Sequence, residues 1–402
     1  MNQKKHSKYA LLFFTLANIL TGLSFGITTI VLPIFAEELK ASAGEQGIIK
    51  GISGIGILLM VLPAGFLVDY YGFKRLYLIG VVLSAFTYAG VALSSSIGGI
   101  IAAIAAQGFG TTFRMTALNA AFFNKLSDMG LNKSGWYRGA MMIGGNFIGP
   151  LLGGYAISFN LSYQTIFLLT ALVSVLPLGL ILPFDFKIRE ESNIWHDKGY
   201  SHLRQQGRDF IVLLKNPNMK KTVITEGLTT GCITSYATFI IIYAIHVLGV
   251  SKHNASWFIL TQGLPYMAMV FAGGGLLFII STRRRYGISI LMTIAGSAFV
   301  ATHSILLVGL GSIFLGLSVG LISITTYANL SNISAQKGIV SSVLAACTGL
   351  GGSIGPVYAG GLGDIWGYEA AFLGFIPIFI LLFYYLLRKG KEEPAAKVLE
   401  EA

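Results

Sequence analysis

Two ionisable residues stand inside stretches otherwise too apolar to hold them: Arg114 in the run 97–121 and Glu226 in the run 219–247. At helical spacing Gln107, Thr111 and Arg114 fall on one face, while Thr229 and Thr230 accompany Glu226. A guanidinium at mid-membrane costs about 2.5–3.5 kcal/mol on insertion scales, so Arg114 is expected to face a cavity or a partner. An acid that alternates between wet and dry surroundings can gain and lose a proton, and a buried cation can hold an anionic ligand. The pair therefore suggests proton coupling or ligand binding, and it also fits a purely structural ion pair. Lys50 lies near enough to a span end to snorkel to the surface, and His303 is expected to be a hydrogen-bonded packing residue.

The elements that position these residues are membrane helices. Hydrophobic residues make up 54% of the chain and charged residues 11%, too apolar for a soluble domain of 402 residues. The first apolar run, 9–32, is too long for a signal-peptide core and should remain as a span. At about 20 residues per crossing, further spans are expected near 45–68, 76–94, 97–121, 137–157 and 163–183. A second set follows near 219–247, 254–280, 287–309, 310–330, 337–359 and 368–387. The prediction is an all-α integral membrane protein of twelve transmembrane helices. Its expected divisions are a six-helix bundle over 1–184, a linker over 185–217 and a second bundle with a tail over 218–402. In the linker, Leu203, Phe210, Ile211 and Leu214 could form one face of a helix lying on the membrane; a solvated connector is the alternative.

The stretch Gly145-x-x-x-Gly149-Pro150-x-x-Gly153-Gly154 places small residues at i, i+4 and i+8, a groove for a neighbouring backbone. Pro150 removes a backbone donor there, which a membrane helix tolerates only where neighbours re-satisfy the freed carbonyl. The pattern returns as Gly351-x-x-x-Gly355-Pro356, and 355 minus 149 gives an offset of 206. Tyr163 and Phe167 after the first copy match Tyr368 and Phe372 after the second, so the chain reads as two copies of one unit.

Lysine and arginine set the orientation. With the N-terminus inside, the inner segments hold Lys4, Lys5, Lys8, Lys74, Arg75, Lys125, Lys133, Arg138, the linker, Arg283, Arg284, Arg285, Lys337 and the tail; the outer loops hold Lys40 and Lys252. Both termini are thus expected in the cytoplasm, in a multi-pass protein of the inner (plasma) membrane. The net charge of +11 is explained by these loops meeting anionic lipid headgroups, without nucleic acid. Cys232 and Cys347 lie in apolar segments and imply packing, not a disulfide.

Two matched halves of about six spans resemble the major facilitator superfamily of transporters. The loop after the second span, Gly65-Phe66-Leu67-Val68-Asp69-Tyr70-Tyr71-Gly72-Phe73-Lys74-Arg75, resembles the family's G-x-L-x-D-R-x-G-R-K motif. In that family the aspartate and basic residues latch the halves together on the cytoplasmic side. Here Gly65, Leu67, Asp69, Gly72 and Lys74 match, while Tyr70 and Phe73 replace arginines; Asp69 as a helix-end cap is the alternative. The Gly145 stretch resembles the fifth-helix motif of the drug and metabolite exporters. Those exporters often carry an arginine before the equivalent of Gln107-Gly108, where this chain has Ile104, so schemes built on that arginine do not transfer.

The resemblance implies a central cavity lined by helices one, four, seven and ten. By helical spacing the first offers Asn18, Thr21 and Thr29 and the tenth Ser323, Thr326 and Tyr327, although hydroxyl stripes also bond between helices in any bundle. It further puts Arg114 and Glu226 on cavity-lining helices, where they are expected to couple across the two halves. No phosphate-cradling loop, zinc-ligand spacing or nucleophile elbow is present, so no enzyme activity, metal or cofactor is expected. The leading expectation is a monomeric exporter of a small organic molecule driven by protons. The alternatives are an uptake carrier for an organic anion with Arg114 as its ligand, and a non-transporting receptor or scaffold.

Overall fold

The structure, a computed structural model, describes residues 2–129, 134–181, 208, 212–331 and 337–388. Among them twelve helical rods follow one another. The first four are α1 (Asn2–Glu38), α2 (Ala43–Tyr71), α3 (Phe73–Leu93) and α4 (Ile97–Met129). Next, α5 runs through Ser134–Ile143, a π turn Gly144–Ile148 and Gly149–Ser158, before α6 (Tyr163–Ile181). The second set opens with α7 (Pro217–His246) and α8 (Lys252–Ala272, continued through Gly273–Gly275 and Leu276–Ile279). It closes with α9 (Thr282–Val300), α10 (Ile305–Ser331), α11 (Lys337–Trp366) and α12 (Tyr368–Leu373 with Phe375–Arg388). Nine of the rods are long and apolar enough to cross a membrane. Of the other three, α2 carries Glu45, Lys50 and Asp69, α4 carries Arg114, Lys125 and Asp128, and α9 opens on three arginines.

Successive rods alternate in direction, so the bundle has two ends: the Glu38 end, where α1 stops, and the Gly72 end, where α2 meets α3. Local chemistry sets the turns. Ser42 starts α2 with a capping box: its hydroxyl accepts the Glu45 N–H at 3.2 Å, and the Glu45 carboxylate accepts the Ser42 N–H at 2.9 Å. Gly72 joins α2 to α3 at φ 80, a conformation that side-chain-bearing residues rarely adopt. Asn216 caps α7, its side-chain oxygen accepting the N–H groups of Asn218 and Met219.

One boundary differs from expectation. The turn between α9 and α10 falls at 301–304, not near 309, because the polar run there ends α9, with the Thr302 hydroxyl donating to the Phe299 carbonyl. His303 is therefore no packing residue: it is exposed on the turn, 3.5 Å from Glu369. The amphipathic face expected in the linker lies mostly outside the described residues, as Leu203, Phe210 and Ile211 do. Leu214 packs instead on protein, with buried Leu213, Met219, Val223 and Leu344.

Glycine contacts hold each half together and repeat between them. In the first half α1 crosses α5 so closely that a Cβ on Gly149 would lie 2.6 Å from the Gly26 Cα, and one on Gly145 would reach the Gly22 backbone. In the second half α7 crosses α11 likewise, a Cβ on Gly355 falling 2.5 Å from the Gly231 Cα. The expected groove is thus the α1–α5 seam, with Gly153 continuing it against Ile27. Gly154 instead faces Ser256 on α8 in the other half. Pro150 also reshapes its helix: its ring crowds the carbonyl four residues back, and the preceding backbone widens so that the Gly149 N–H donates to the Gly144 carbonyl. Pro356 lies within an uninterrupted helix.

Candidate functional site

Arg114 is fully buried. Gly80 lets α3 press directly on α4 beside it, a Cβ there falling 2.5 Å from the Arg114 amide nitrogen. The guanidinium carbon sits 5.6 Å from the centroid of the Phe25 ring on α1, and none of its three nitrogens has a hydrogen-bond partner among the described residues. The hydroxyls of Thr21 and Tyr77 are buried without partners as well, and Asn18 is buried on the same helix as Thr21. A cation–π contact supplies about 0.5–2 kcal/mol, well short of the several kcal/mol that desolvating a charge costs. The environment of Arg114 is therefore electrostatically incomplete.

Glu226 is anchored inside its own half. The Thr326 hydroxyl on α10 donates to its Oε2 at 2.8 Å. Nearby, Asn329 donates to the Tyr286 hydroxyl at 3.0 Å. Ser323 is buried on α10 and Tyr327 is exposed. The Thr229 hydroxyl donates to the Thr225 carbonyl, a helix-internal bond, and Thr230 is half-buried. Arg114 and Glu226 do not touch in this conformation: one charge rests on α1 aromatic surface and the other on α10.

A cavity of about 80 Å³, room for several waters, opens between α1, α2, α4 and α7. Gln107 and Thr111 line it, with Thr29 from α1 and Thr238 from α7. The Gln107 amide nitrogen donates to the Tyr88 hydroxyl at 3.0 Å, which fixes that wall. Lys50 and Gln46 also line the cavity. Lys50 therefore does not snorkel; it faces the space between the halves. Both side-chain atoms of Gln46 are buried without a partner among the described residues.

At the Glu38 end, polar bridges join the halves. The Lys252 ammonium donates to Glu38 Oε1 and to the Tyr163 hydroxyl, each at 3.1 Å, and the Tyr163 hydroxyl donates to Glu38 at 2.9 Å. His246 pairs with Glu37. The Ser42 hydroxyl donates to Asp364 Oδ2 at 3.2 Å, which sets that carboxylate at the N-terminus of α2, where the helix dipole favours an anion. Close backbone packing continues inward, Gly47 of α2 lying against the Pro356 carbonyl and Gly51 against the Ser353 carbonyl.

At the Gly72 end, Gly65 and Asp69 occupy the last turns of α2, the Asp69 side chain lying outside the described residues, while Lys74 is half-buried and Arg75 exposed at the start of α3. Sequence reasoning passed over Gln46 and the Glu38-end bridges. The signal for Gln46 was its position one turn before Lys50, with Ser53 and Ile57 continuing the same helical face. The bridges join residues 89 or more positions apart and leave no local pattern.

Comparison with known proteins agrees with this geometry. A family model described as Major Facilitator Superfamily matches residues 14–252 and 222–402. "Multidrug resistance protein 2" of Bacillus subtilis (strain 168) is 24% identical over 406 residues, covering 98% of this chain and 100% of that protein. Among solved structures, the nucleoside transporter NupG superposes with a TM-score of 0.79 at 17% identity, covering 95% of this chain and 99% of that one. The human organic anion transporter MFSD10 (TETRAN) does so with a TM-score of 0.65 at 15% identity, over 94% and 99%. Two glycine-seamed six-helix halves, a cavity between them with polar groups set in a mainly apolar wall, and a family match spanning nearly the whole chain lead to one conclusion: the chain belongs to the major facilitator superfamily of membrane transporters.

Proposed function

We propose that this transporter exports a small organic molecule in exchange for protons, its two halves rocking about the cavity between them. The observation that carries the reading is the set of polar groups buried around that cavity with no partner among the described residues, Gln46 and Thr111 in its wall and Arg114 behind it. Such groups suit a site that is completed by a substrate. Export is supported by the likeness to a multidrug resistance protein and by the proline-containing α5 seam. With the N-terminus in the cytoplasm, as the lysine and arginine distribution favours, the bridges at the Glu38 end close the outer side, and a substrate loads from inside. In this scheme 1–184 and 218–402 move as units joined by 185–217, Glu226 is the coupling acid, and Arg114 acts on it or on the substrate when the cavity changes shape. The protein works as a monomer in the inner (plasma) membrane, drawing about 2.3 kcal/mol per charge for each 100 mV of potential.

A second reading is uptake of an organic anion with Arg114 as its ligand, favoured by the unpaired guanidinium. A non-transporting receptor is the third. Reconstituted vesicles with an imposed proton gradient separate them. Proton-driven exchange of a compound from a panel of fluorescent organic ions supports export, anion entry supports uptake, and no flux across the panel supports the receptor.

A further inference from the structure

We propose that Lys50 and Gln46 form a subsite for the anionic end of a soluble organic ligand, a carboxylate or phosphate monoester, in the cavity between α1, α2, α4 and α7. The two residues stand one helical turn apart on α2 and line the same cavity. Gln46 is 2% exposed, and its amide makes no hydrogen bond among the described residues. An amide held dry and unbonded is costly unless a ligand completes it.

The charges at this end point to an anion. Glu37 is bound to His246, Glu38 to Lys252, Glu45 to the Ser42 N–H and Asp364 to the Ser42 hydroxyl. Each carboxylate that could neutralise Lys50 is thus committed elsewhere, and no described acid lies within ion-pair distance of its ammonium. Arg114, behind the Phe25 ring that lines the same space, adds a second positive charge. A cavity with low-dielectric walls focuses that field on its contents. An anion at the Lys50 ammonium gains a charge-assisted bond, and the Gln46 amide nitrogen donates a further one. Ile49, Ile57 and Leu32 supply apolar wall for the body of the ligand. The purpose of the subsite rests on the transporter reading, but its existence is tested by binding alone.

The test uses the full-length protein in phosphatidylcholine nanodiscs, with thermal unfolding read against benzoate, phenyl phosphate and the neutral isostere benzamide. Stabilisation by ligand shifts Tm by mass action. We expect benzoate or phenyl phosphate to raise Tm by several degrees and benzamide to leave it unchanged. Lys50→Met should raise the ligand-free Tm, since it removes an uncompensated charge, and abolish the response to anions; Lys50→Arg should retain it. The proposal is overturned if neither anion raises Tm, if benzamide matches them, if Lys50→Met keeps the response, or if it lowers the ligand-free Tm. It is also overturned if the only response that depends on Lys50 is to phosphatidylglycerol in the disc, which would make this a lipid-headgroup site. Because no gradient is applied, a negative result leaves the transporter reading intact, and that reading fails separately if no flux is found in vesicles.

Discussion

Glu38 at the end of α1 and Lys252 at the start of α8 form an ion pair of 3.1 Å between the two halves, completed by the Tyr163 hydroxyl from α6. Both side chains are partly exposed, and such a pair contributes roughly 0.2–1 kcal/mol by itself. The energy matters because alternating access balances two states, and about 1.4 kcal/mol changes their ratio tenfold. Charge-removing substitutions at Glu38 and Lys252 should each shift the population towards opening at this end by a few-fold, and the double variant should do no more than either alone. Alkylation of a cysteine placed at Ser53, in the cavity wall, reads the opening from the Glu38 side. Additive effects would show that the pair is not a latch.

The glycine seams make a second prediction. Leucine at Gly149 must displace α1 at Gly26, and leucine at Gly355 must displace α7 at Gly231. Overpacking of this kind costs about 1–3 kcal/mol, and here it falls on helices that must slide. Both variants should insert normally while transport drops by tenfold or more. Wild-type flux in both would remove the seams from the working mechanism.

Gly72 offers a local test of the fold. At φ 80 a Cβ is strained, so Gly72→Ala should destabilise the α2–α3 turn by about 1–2 kcal/mol and lower Tm. An unchanged Tm would mean the turn relaxes freely.

Topology is tested by labelling. Cysteines at Lys133 and Arg284 should react with an impermeant reagent only from the cytoplasmic side, and one at Lys252 only from outside. The reverse pattern would invert the orientation and, with it, the direction assigned to the closed end.

Much of this architecture is legible in the chain because membrane constraints act locally. Gly145, Gly149 and Gly153 announce a backbone crossing whatever they cross, and their recurrence at Gly351 and Gly355 announces the repeat. What they cross is not local: Gly22 and Gly26 lie more than 120 residues away, and nothing near Gly149 names them. Lys50 shows the opposite limit. Its distance from the start of α2, about 10 Å at 1.5 Å per residue, is within snorkelling reach on a lone helix. Only the arrangement of α1, α4 and α7 around α2 turns that side chain into a cavity wall. Arg114 was legible as an anomaly, and its stacking on Phe25 in place of a carboxylate partner depends on the α1–α4 contact.

The proposed proton coupling rests on Glu226 as its acid. Its anchor, the Thr326 hydroxyl at 2.8 Å, holds it in the half opposite Arg114, so the two can interact only when the cavity changes shape. The decisive measurement is proton-gradient-driven flux in proteoliposomes for wild type, Glu226→Gln, Arg114→Gln and the double variant, alongside substrate exchange without a gradient. Glu226→Gln should abolish gradient-driven flux while exchange persists, and adding Arg114→Gln should cost far less in that background than it does alone. Full pH-driven flux in Glu226→Gln would contradict the proposed coupling.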